Sequence, residues 1–472
     1  MWSALSQSIY PLPINIQHMA DTSIPRLLLI GLLVGAVSGI GAVFFFKGIE
    51  LGSHLLLNNI LGYSYPTEGL SFADATSWAP PESVWLILPI LVLGALVSGL
   101  IVWKFAPEAE GHGTDAALKA YHGDGKIRWR VPFVKALSSI ITISSGGSAG
   151  CEGPTAQISA GFGSILADIM KLSPRERRIA IAVGIGGGVG AIFKAPLGGA
   201  ILAAEILYLR DFKYDALLPA FVSSLTGYAI FGLFEGFTPL FGTADMGWTA
   251  VQLPFFLLLG ILSAGMGYLY IKTFYGTKKV FDAAEKKYRI PKFLKPVIGA
   301  GIFGLIIILL AYLSPETLIV GVGCLGTGYG FVQLALYNLL PFTVLLLLPF
   351  VKILATALTI GSGASGGVFA PGLAVGGFLG GALGSGLHLL FPELVGASAI
   401  PVFVVIGMIA VFGSVSHAPV AVLLMVLEMT GSFDLAIPAV LAVTAATVLM
   451  RDNTIFQEQR ISRVKNWKIE KR

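Results

Sequence analysis

SSGGSAGCEGP, residues 144–154, lies inside an apolar segment that is long enough to cross a membrane. Five of its eleven residues are glycine or proline, which do not continue an ordinary helix. Backbone groups that are freed at membrane depth must be buried in protein or line a wet cavity, because lipid offers them no hydrogen-bond partner. The stretch therefore predicts two half-helices separated by a break inside the membrane.

The second half-helix begins beside a carboxylate. Pro154 suits the first turn of a helix, and Glu152 lies next to the unpaired N–H groups that make a helix N-terminus positive. A broken helix of this kind, with an ionisable group at its mouth, is suited to binding an anion. On this stretch alone the alternative is close packing at the glycines and an ordinary N-terminal acid.

Composition places the chain in a membrane. Of its 472 residues 55% are hydrophobic and 12% are charged, whereas about 25% are charged in a soluble domain. Apolar runs of membrane length recur from Ile24 to Met450, so we expect a multi-pass helical protein of the cell membrane. Cys151 and Cys324 lie in glycine-rich apolar stretches, which indicates neither a disulfide framework nor a metal site, and we expect no cofactor.

The placement of basic residues predicts the topology. The positive-inside rule makes the basic clusters cytoplasmic and the loops near 60–82 and 234–252 external. We expect both termini to be cytoplasmic, and topology accounts for the charge bias without a nucleic-acid partner. The basic clusters are 119–135, 171–178, 272–295 and 451–472.

The basic stretch before residue 297 is the predicted boundary between two halves. The predicted division is an N-terminal cytoplasmic segment at 1–23, a first membrane half at 24–271, a basic cytoplasmic linker at 272–296, a second membrane half at 297–462 and a C-terminal cytoplasmic tail at 463–472. A second helix break is expected within GIGGGVGAIFKAP, residues 184–196, before the helix that carries Glu205.

The two halves repeat one another. FVKALSSIITISSGGSAGCEGP (133–154) and FVKILATALTIGSGASGGVFAP (350–371) are identical at 11 of 22 aligned positions. APLGGAILAAE (195–205) parallels APVAVLLMVLE (418–428), each with a glutamate nine residues after its proline. Interrupted segments at equivalent places in two halves point to a binding site at mid-membrane and disfavour the packing-only alternative. A basic loop between the halves predicts an odd number of passes in each.

These motifs resemble the CLC family of chloride channels and chloride/proton exchangers. GCEGP (150–154) resembles its G(K/R)EGP motif, GGVFAP (366–371) its GxFxP motif, and GHGTD (111–115) occupies the place of its GSGIP motif. The similarity runs from about Arg26 to Arg460 and covers the family's membrane domain. It implies an all-α polytopic protein, an inverted repeat of about 16–18 tilted and partly broken helices, and a homodimer with an anion path in each subunit.

The resemblance also implies roles for individual residues. Glu152 would be a gate that occupies an anion site when ionised and leaves it when protonated. The backbone N–H groups of Val368 and Phe369 would hold a central chloride, and those near Gly153 an outer one. Chloride and protons are then the expected partners. N–H dipoles suit a transported anion because full cations would hold it too tightly to let it leave.

Three positions depart from the family pattern near the anion path. His112 replaces a serine; it would donate an N–H to chloride and bind more tightly when protonated, or would be a neutral histidine bonded to backbone. Asp115 replaces a proline and is expected to cap the following helix. Phe456 replaces the tyrosine of a final short helix and occludes the inner mouth without an O–H to donate.

The proton path departs as well. The inner glutamate of many exchangers is matched by Ile206, which favours a passive channel, whereas a compact chain of bacterial type favours an exchanger. Glu205, one residue earlier, is either structural or a proton carrier. Both questions stay open at the level of sequence.

Two other functions are possible for such a sequence. A fluoride-selective relative is expected to have methionine at the position of His112. An intramembrane hydrolase would pair a serine of GGSAG (146–150) with His417 as base, which requires the two groups at hydrogen-bond distance. HExxH and paired-aspartate motifs do not occur in the sequence, so we expect a transporter and not an enzyme.

Overall fold

A computed structural model describes residues 24–242 and 244–463, and this part of the chain is almost entirely helical. The predicted N-terminal segment at 1–23 and residues 464–472 of the predicted tail lie outside the described residues. The helices of the first half are α1 (Ile24–Ser53), α2 (Phe72–Thr76), α3 (Ile87–Phe105), α4 (Thr114–His122), α5 (Arg130–Ser144), α6 (Glu152–Ile169), α7 (Pro174–Ile192), α8 (Pro196–Glu205) and α9 (Tyr214–Glu235). Those of the second half are α10 (Leu253–Tyr288), α11 (Lys295–Leu313), α12 (Pro315–Gly323), α13 (Tyr329–Leu336), α14 (Phe342–Thr359), α15 (Phe369–Leu390), α16 (Ile400–Ser416), α17 (Pro419–Thr430) and α18 (Ala436–Met450).

The prediction of a polytopic all-α protein is confirmed. Within 24–242 and 244–463, nine helical segments are long and apolar enough to cross a membrane. Their burial distinguishes central from peripheral helices. In Ala397–Ser416, 94% of the most apolar part is buried, against 33% in Val84–Phe105. Helix α16 is therefore at the centre of the protein, and α3 presents most of its apolar surface outward, where lipid would contact it.

The contact between α8 and α17 shows how the halves are related. Glu205, at the C-terminus of α8, accepts hydrogen bonds from the N–H groups of Val420 and Ala421 at the start of α17. Glu428, in the last turn of α17, accepts from Leu197 and Gly198 at the start of α8. Equivalent helices of the two halves thus run antiparallel and cap each other. This is the arrangement of an inverted repeat.

The second predicted break is confirmed and lies at the C-terminal end of the expected stretch, 184–196. The glycine run of residues 184–190 is continuous helix within α7, and the chain leaves the helix only at 193–195, where Lys194 has φ +54°. The glycines serve close packing: a Cβ at Gly188 would lie 2.1 Å from the Ser159 hydroxyl of α6. Small residues at a crossing let two helix backbones approach.

The predicted linker at 272–296 is largely helical. Residues 272–288 continue α10, which is 36 residues long, and a short turn at 292–294 leads into α11. The charged stretch is therefore an extension of a membrane helix beyond its apolar part. The division of the chain into halves at this stretch stays a prediction.

Candidate anion-binding site

The helix breaks of the two halves meet and satisfy each other's backbone groups. Gly150 and Gly367 exchange a pair of hydrogen bonds, N–H to carbonyl, at 2.8 and 2.7 Å. Gly111 donates to Ala364 and accepts from Gly366 at 3.2 and 3.3 Å. These contacts meet the requirement that a helix break creates in a membrane, because these freed backbone groups are paired inside the protein and not exposed to lipid.

Two buried lysines brace the breaks that precede α4 and α13. Lys135 donates to the carbonyls of Ala109 and Gly111 at 3.0 and 2.6 Å. The equivalent lysine of the second half makes the same pair of bonds. This lysine, Lys352, donates to the carbonyls of Cys324 and Gly326 at 3.1 and 2.8 Å. Both lysines are fully buried. The alignment of the two halves matches Lys135 with Lys352 but predicts no role for them. The signal that could have indicated a role is a lysine within an apolar helix.

Glu152 reaches from its own helix to the N-terminus of another. Its Oε2 accepts a hydrogen bond from the N–H of Ala370 in the first turn of α15 at 3.2 Å. Its Oε1 accepts from the hydroxyl of Tyr329 at 2.7 Å and from Cys151 Sγ at 3.5 Å, and the residue is only 1% exposed. The first N–H groups of a helix have no intrahelical partner and favour negative charge. The carboxylate therefore occupies a position at the Ala370 N–H that favours negative charge, and this position is called the seat.

The predicted backbone ligands lie around this seat. Val368 and Phe369 are buried where α15 begins, and the Tyr270 hydroxyl donates to the Val368 carbonyl at 2.8 Å. The Phe369 ring packs 4.1 Å from that of Phe412 between centroids. A Cβ at Gly153 would lie 2.2 Å from the His112 carbonyl oxygen, so this close approach requires glycine. The structure thus brings the predicted motifs together at the N-termini of α6 and α15.

His112 and Phe456 lie together, and Phe412 connects them to the start of α15, because its ring lies 6.4 Å from that of Phe456 between centroids. The ring centroids of His112 and Phe456 are 5.7 Å apart, and Phe456 is fully buried. The Tyr275 hydroxyl donates to the Ile455 carbonyl at 2.6 Å and anchors this segment. Phe456 is in irregular backbone after α18 and not in the expected final short helix. The predicted occlusion of the inner mouth by Phe456 stays a prediction.

Asp115 does not cap the helix that it begins, which corrects the prediction. Its oxygens accept from the backbone N–H groups of Gln457 and Glu458 at 3.3 and 3.2 Å, and Oδ2 lies 3.2 Å from His112 Nε2. The ring of His112 is therefore paired with a carboxylate and not with backbone, as one alternative had it. The N–H groups of Gln457 and Glu458 thus occupy both carboxylate oxygens, and α4 has no side-chain cap.

Two cavities reach residues close to the seat, Cys151 in one and His112 in the other. One has a volume of about 480 Å³ and is lined by Cys151, Glu68 and Lys194 among others. The other has a volume of about 380 Å³ and is lined by His112 and by charged residues of α10. The second cavity lies against the basic end of α10, and the positive-inside rule therefore predicts that it is the inner one.

Glu205 and Ile206 lie apart from this arrangement. Both oxygens of Glu205 are engaged by the backbone at the start of α17. Ile206 is 1% exposed, and its carbonyl accepts from the Gln459 side chain at 2.9 Å. The geometry favours the structural role for Glu205, as a cap on the neighbouring helix.

Replacing Glu205 by glutamine is expected to lower thermal stability without loss of proton coupling. An amide cannot accept from two N–H groups as a carboxylate does, and the loss of a charge-assisted cap costs about 1–2 kcal/mol. Glu428→Gln is the matched control, because it removes the same cap from the other half. Melting temperatures of both variants should fall alike. A loss of coupled proton flux in Glu205→Gln alone would assign the residue to proton transport.

The hydrolase alternative finds no assembled pair. In GGSAG, the Ser148 hydroxyl lies 3.0 Å from that of Thr356. His417 Nε2 instead lies 3.1 Å from the Asn453 carbonyl oxygen. The serine and the histidine thus have different partners, and the geometry that nucleophilic catalysis needs is not formed by these two residues.

Comparison with known proteins agrees with this geometry. The sequence profile of the family described as voltage gated chloride channel matches residues 94–451. An uncharacterized protein of Methanocaldococcus jannaschii is 32% identical over 414 residues, which are 88% of this chain and 97% of that protein. The chain therefore belongs to the CLC family of voltage gated chloride channels and their relatives.

Other relatives and solved structures extend the comparison. The H(+)/Cl(-) exchange transporter ClcA of Yersinia pestis is 28% identical over 429 residues, 90% of this chain and 84% of the relative. The structure of a CLC-type fluoride/proton antiporter superposes with a TM-score of 0.76 at 20% identity, over 94% of this chain and 100% of that chain. A slow cyanobacterial Cl-/H+ antiporter gives a TM-score of 0.74 at 24% identity, over 91% and 95%. The two structures establish the likeness of fold.

Proposed function

We propose that this protein carries chloride across a lipid bilayer in exchange for protons, with Glu152 as the gate. The observation that carries the proposal is the position of the Glu152 carboxylate on the Ala370 N–H at the start of α15. A negative group of the chain itself occupies a seat that suits a transported anion. Gate and anion then compete for one place.

The exchange follows from that competition. The ionised carboxylate is held by the Ala370 N–H and the Tyr329 hydroxyl, and it blocks the seat. Protonation removes its charge and with it most of the attraction to the helix N-terminus, so an anion takes the seat. The N–H groups of Val368, Phe369 and Gly153 hold the anion by dipoles, which lets it leave again. The side chain carries one proton each time it yields its place.

The choice of chloride rests on the relatives and on His112. The exchange transporter ClcA that matches 90% of this chain is named for H(+) and Cl(-). The likeness to a fluoride/proton antiporter is one of fold, at 20% identity. His112 stands where a fluoride-selective relative is expected to have methionine, which favours chloride at this site.

A passive channel is the second candidate, and Ile206 favours it. This buried apolar side chain takes the place of the inner glutamate that would pass protons to the cytoplasm. Without an inner proton donor, the gate would exchange protons with the outer side only, and anions would flow without coupled proton movement.

We further propose a homodimer in the cell membrane with both termini on the cytoplasmic side. The resemblance to the family implies the dimer. The termini themselves lie outside the described residues; the basic sequence of 451–472 supports their side. No cofactor is required by the mechanism, since backbone dipoles and one carboxylate perform it, and nothing in it requires an enzyme activity.

The experiment that tests this function is flux from liposomes that contain the purified protein, loaded with chloride in weakly buffered medium. Exchange predicts uphill proton movement driven by the chloride gradient alone. Chloride efflux without proton movement would establish the channel and make Ile206→Glu the next variant. A folded protein that passes fluoride but no chloride would establish the fluoride-selective alternative. One that passes neither anion would refute anion transport.

A further inference from the structure

The two nitrogens of His112 have different surroundings. Nε2 lies 3.2 Å from the Asp115 carboxylate. Nδ1 is shielded from solvent and has no hydrogen-bond partner among the described residues, and the side chain is only 8% exposed. The ring lies between those of Phe274 and Phe456, with centroids 6.1 and 5.7 Å away. A buried polar atom without a partner is rare and calls for a ligand.

The pairing with Asp115 determines what Nδ1 can bind. A neutral imidazole has one N–H, and an ionised carboxylate only accepts, so the hydrogen belongs to Nε2. Nδ1 then presents a lone pair, which repels an anion. Nδ1 gains a hydrogen only when the pair takes up one proton, either on the ring or on the carboxylate. In both cases Nδ1–H is a buried donor directed away from Asp115.

We propose that His112 and Asp115 form a proton-loading site at the inner end of the anion path, where one proton and one small monovalent anion bind together. The proposal rests on the proposed function, because it requires an anion between the start of α15 and Phe456. These two residues would then exchange protons with the inner side, which the apolar side chain of Ile206 cannot do. The proton comes from the inner cavity and leaves the pair when the anion does.

Other charged groups around the pair come from several elements. Six line the same inner cavity as His112: Glu110, Lys278, Asp282, Glu285, Lys292 and Lys295. Three are acidic and three are basic, so together they add no net charge, and Lys295 is bound by Asp282 and Glu285 at 3.0 and 2.7 Å.

Three further groups complete the surroundings. Lys135 of α5 is held on the carbonyl of Gly111, the residue before His112. Glu458 lies in the C-terminal segment, and its backbone N–H binds Asp115. Glu152 of α6 is engaged at the start of α15. The ion that lies against the imidazole is therefore Asp115, and its proton occupancy sets the charge that an arriving anion meets.

The same carboxylate holds the segment that carries Phe456. Asp115 accepts from the N–H groups of Gln457 and Glu458, which directly follow Phe456 in the chain. A proton on the pair weakens the charge that these N–H groups see. Proton loading at His112 and Asp115 is thus linked to the position of the neighbouring Phe456 ring.

The test is calorimetric titration of chloride into purified Glu152→Gln protein in two buffers with different ionisation enthalpies, which gives the protons taken up per chloride. The Glu152→Gln background is required because the displaced carboxylate would itself take up a proton. Uptake should approach about one proton per chloride at a pH at which the pair is unloaded, and chloride affinity should fall by about tenfold per pH unit there.

Two variants and a control locate the proton. Adding His112→Asn, whose amide donates without a proton, should abolish the uptake while chloride still binds. Adding Asp115→Asn should abolish it as well, and either variant suffices if the other fails to fold. His388→Asn is the control, since this histidine binds the Val395 carbonyl at the far end of α15.

The outcomes separate this site from the proposed function. Chloride binding without proton uptake in Glu152→Gln would overturn the proton-loading site and leave anion transport standing. So would an uptake that survives both His112→Asn and Asp115→Asn. A folded Glu152→Gln protein that binds no chloride at all would contradict the anion path itself.

Discussion

Glu152→Gln is expected to reduce chloride-driven proton movement to the level of empty liposomes while chloride flux continues. An amide does not bind and release a proton in the physiological range, and it has no charge with which to compete for the seat at Ala370. The two transported ions are therefore separated by this single change. The measurement is parallel recording of chloride efflux and external pH from the same liposomes.

Glu50→Gln is the matched control for that experiment. Glu50 is an exposed carboxylate that lines the outer cavity and pairs with Lys47 at 2.8 Å. It has no contact with α15 in the described structure, so its removal should leave both fluxes unchanged. Coupled proton movement that persists in Glu152→Gln would place the gate elsewhere.

Lys352→Met is expected to destabilise the protein severely. The side chain is fully buried and donates to the carbonyls of Cys324 and Gly326, which form the turn before α13. Methionine fills the space but leaves two buried acceptors without a donor, at a cost of about 2–5 kcal/mol after allowing for the desolvation that the ammonium no longer suffers. The measurement is the melting temperature in detergent.

The equivalent variant in the other half and a surface variant make this prediction specific. Lys135→Met removes the same brace from the turn before α4 and should lower the melting temperature to a similar extent. Lys119→Met changes an exposed lysine of α4 and should have little effect. Unchanged stability in both buried variants would mean that the lysines do not hold these turns.

Much of the fold could be predicted because helix breaks and apolar runs are local properties of the sequence. The breaks before α6 and α15 follow from glycine and proline, and the internal repeat located both. The break after α7 lies within the predicted stretch 184–196, but the glycine run at 184–190 does not give its position, because glycine serves both breaks and close helix crossings. Only the neighbouring helix, which the local sequence does not specify, distinguishes the two uses.

The site residues that lie within sequence motifs could be predicted. The contacts between distant segments of the chain could not. Tyr329 lies 177 residues from Glu152, to which it donates. It follows GTG (326–328), which repeats GHG (111–113) at an offset of 215, whereas the aligned breaks repeat at 217. A comparison at one fixed offset therefore missed it. The contact of Asp115 with Gln457, 342 residues apart, has no local signal at all.

We expect the Glu152 carboxylate and a transported anion to share one seat at the start of α15. The most direct measurement is anomalous diffraction from bromide-soaked crystals of the wild-type protein and of Glu152→Ala. Shared occupancy predicts a bromide peak at hydrogen-bond distance from the Ala370 N–H in Glu152→Ala, and the carboxylate in its place in the wild type. A variant without bromide at that N–H, or a wild type that holds bromide there beside an unmoved carboxylate, would contradict it.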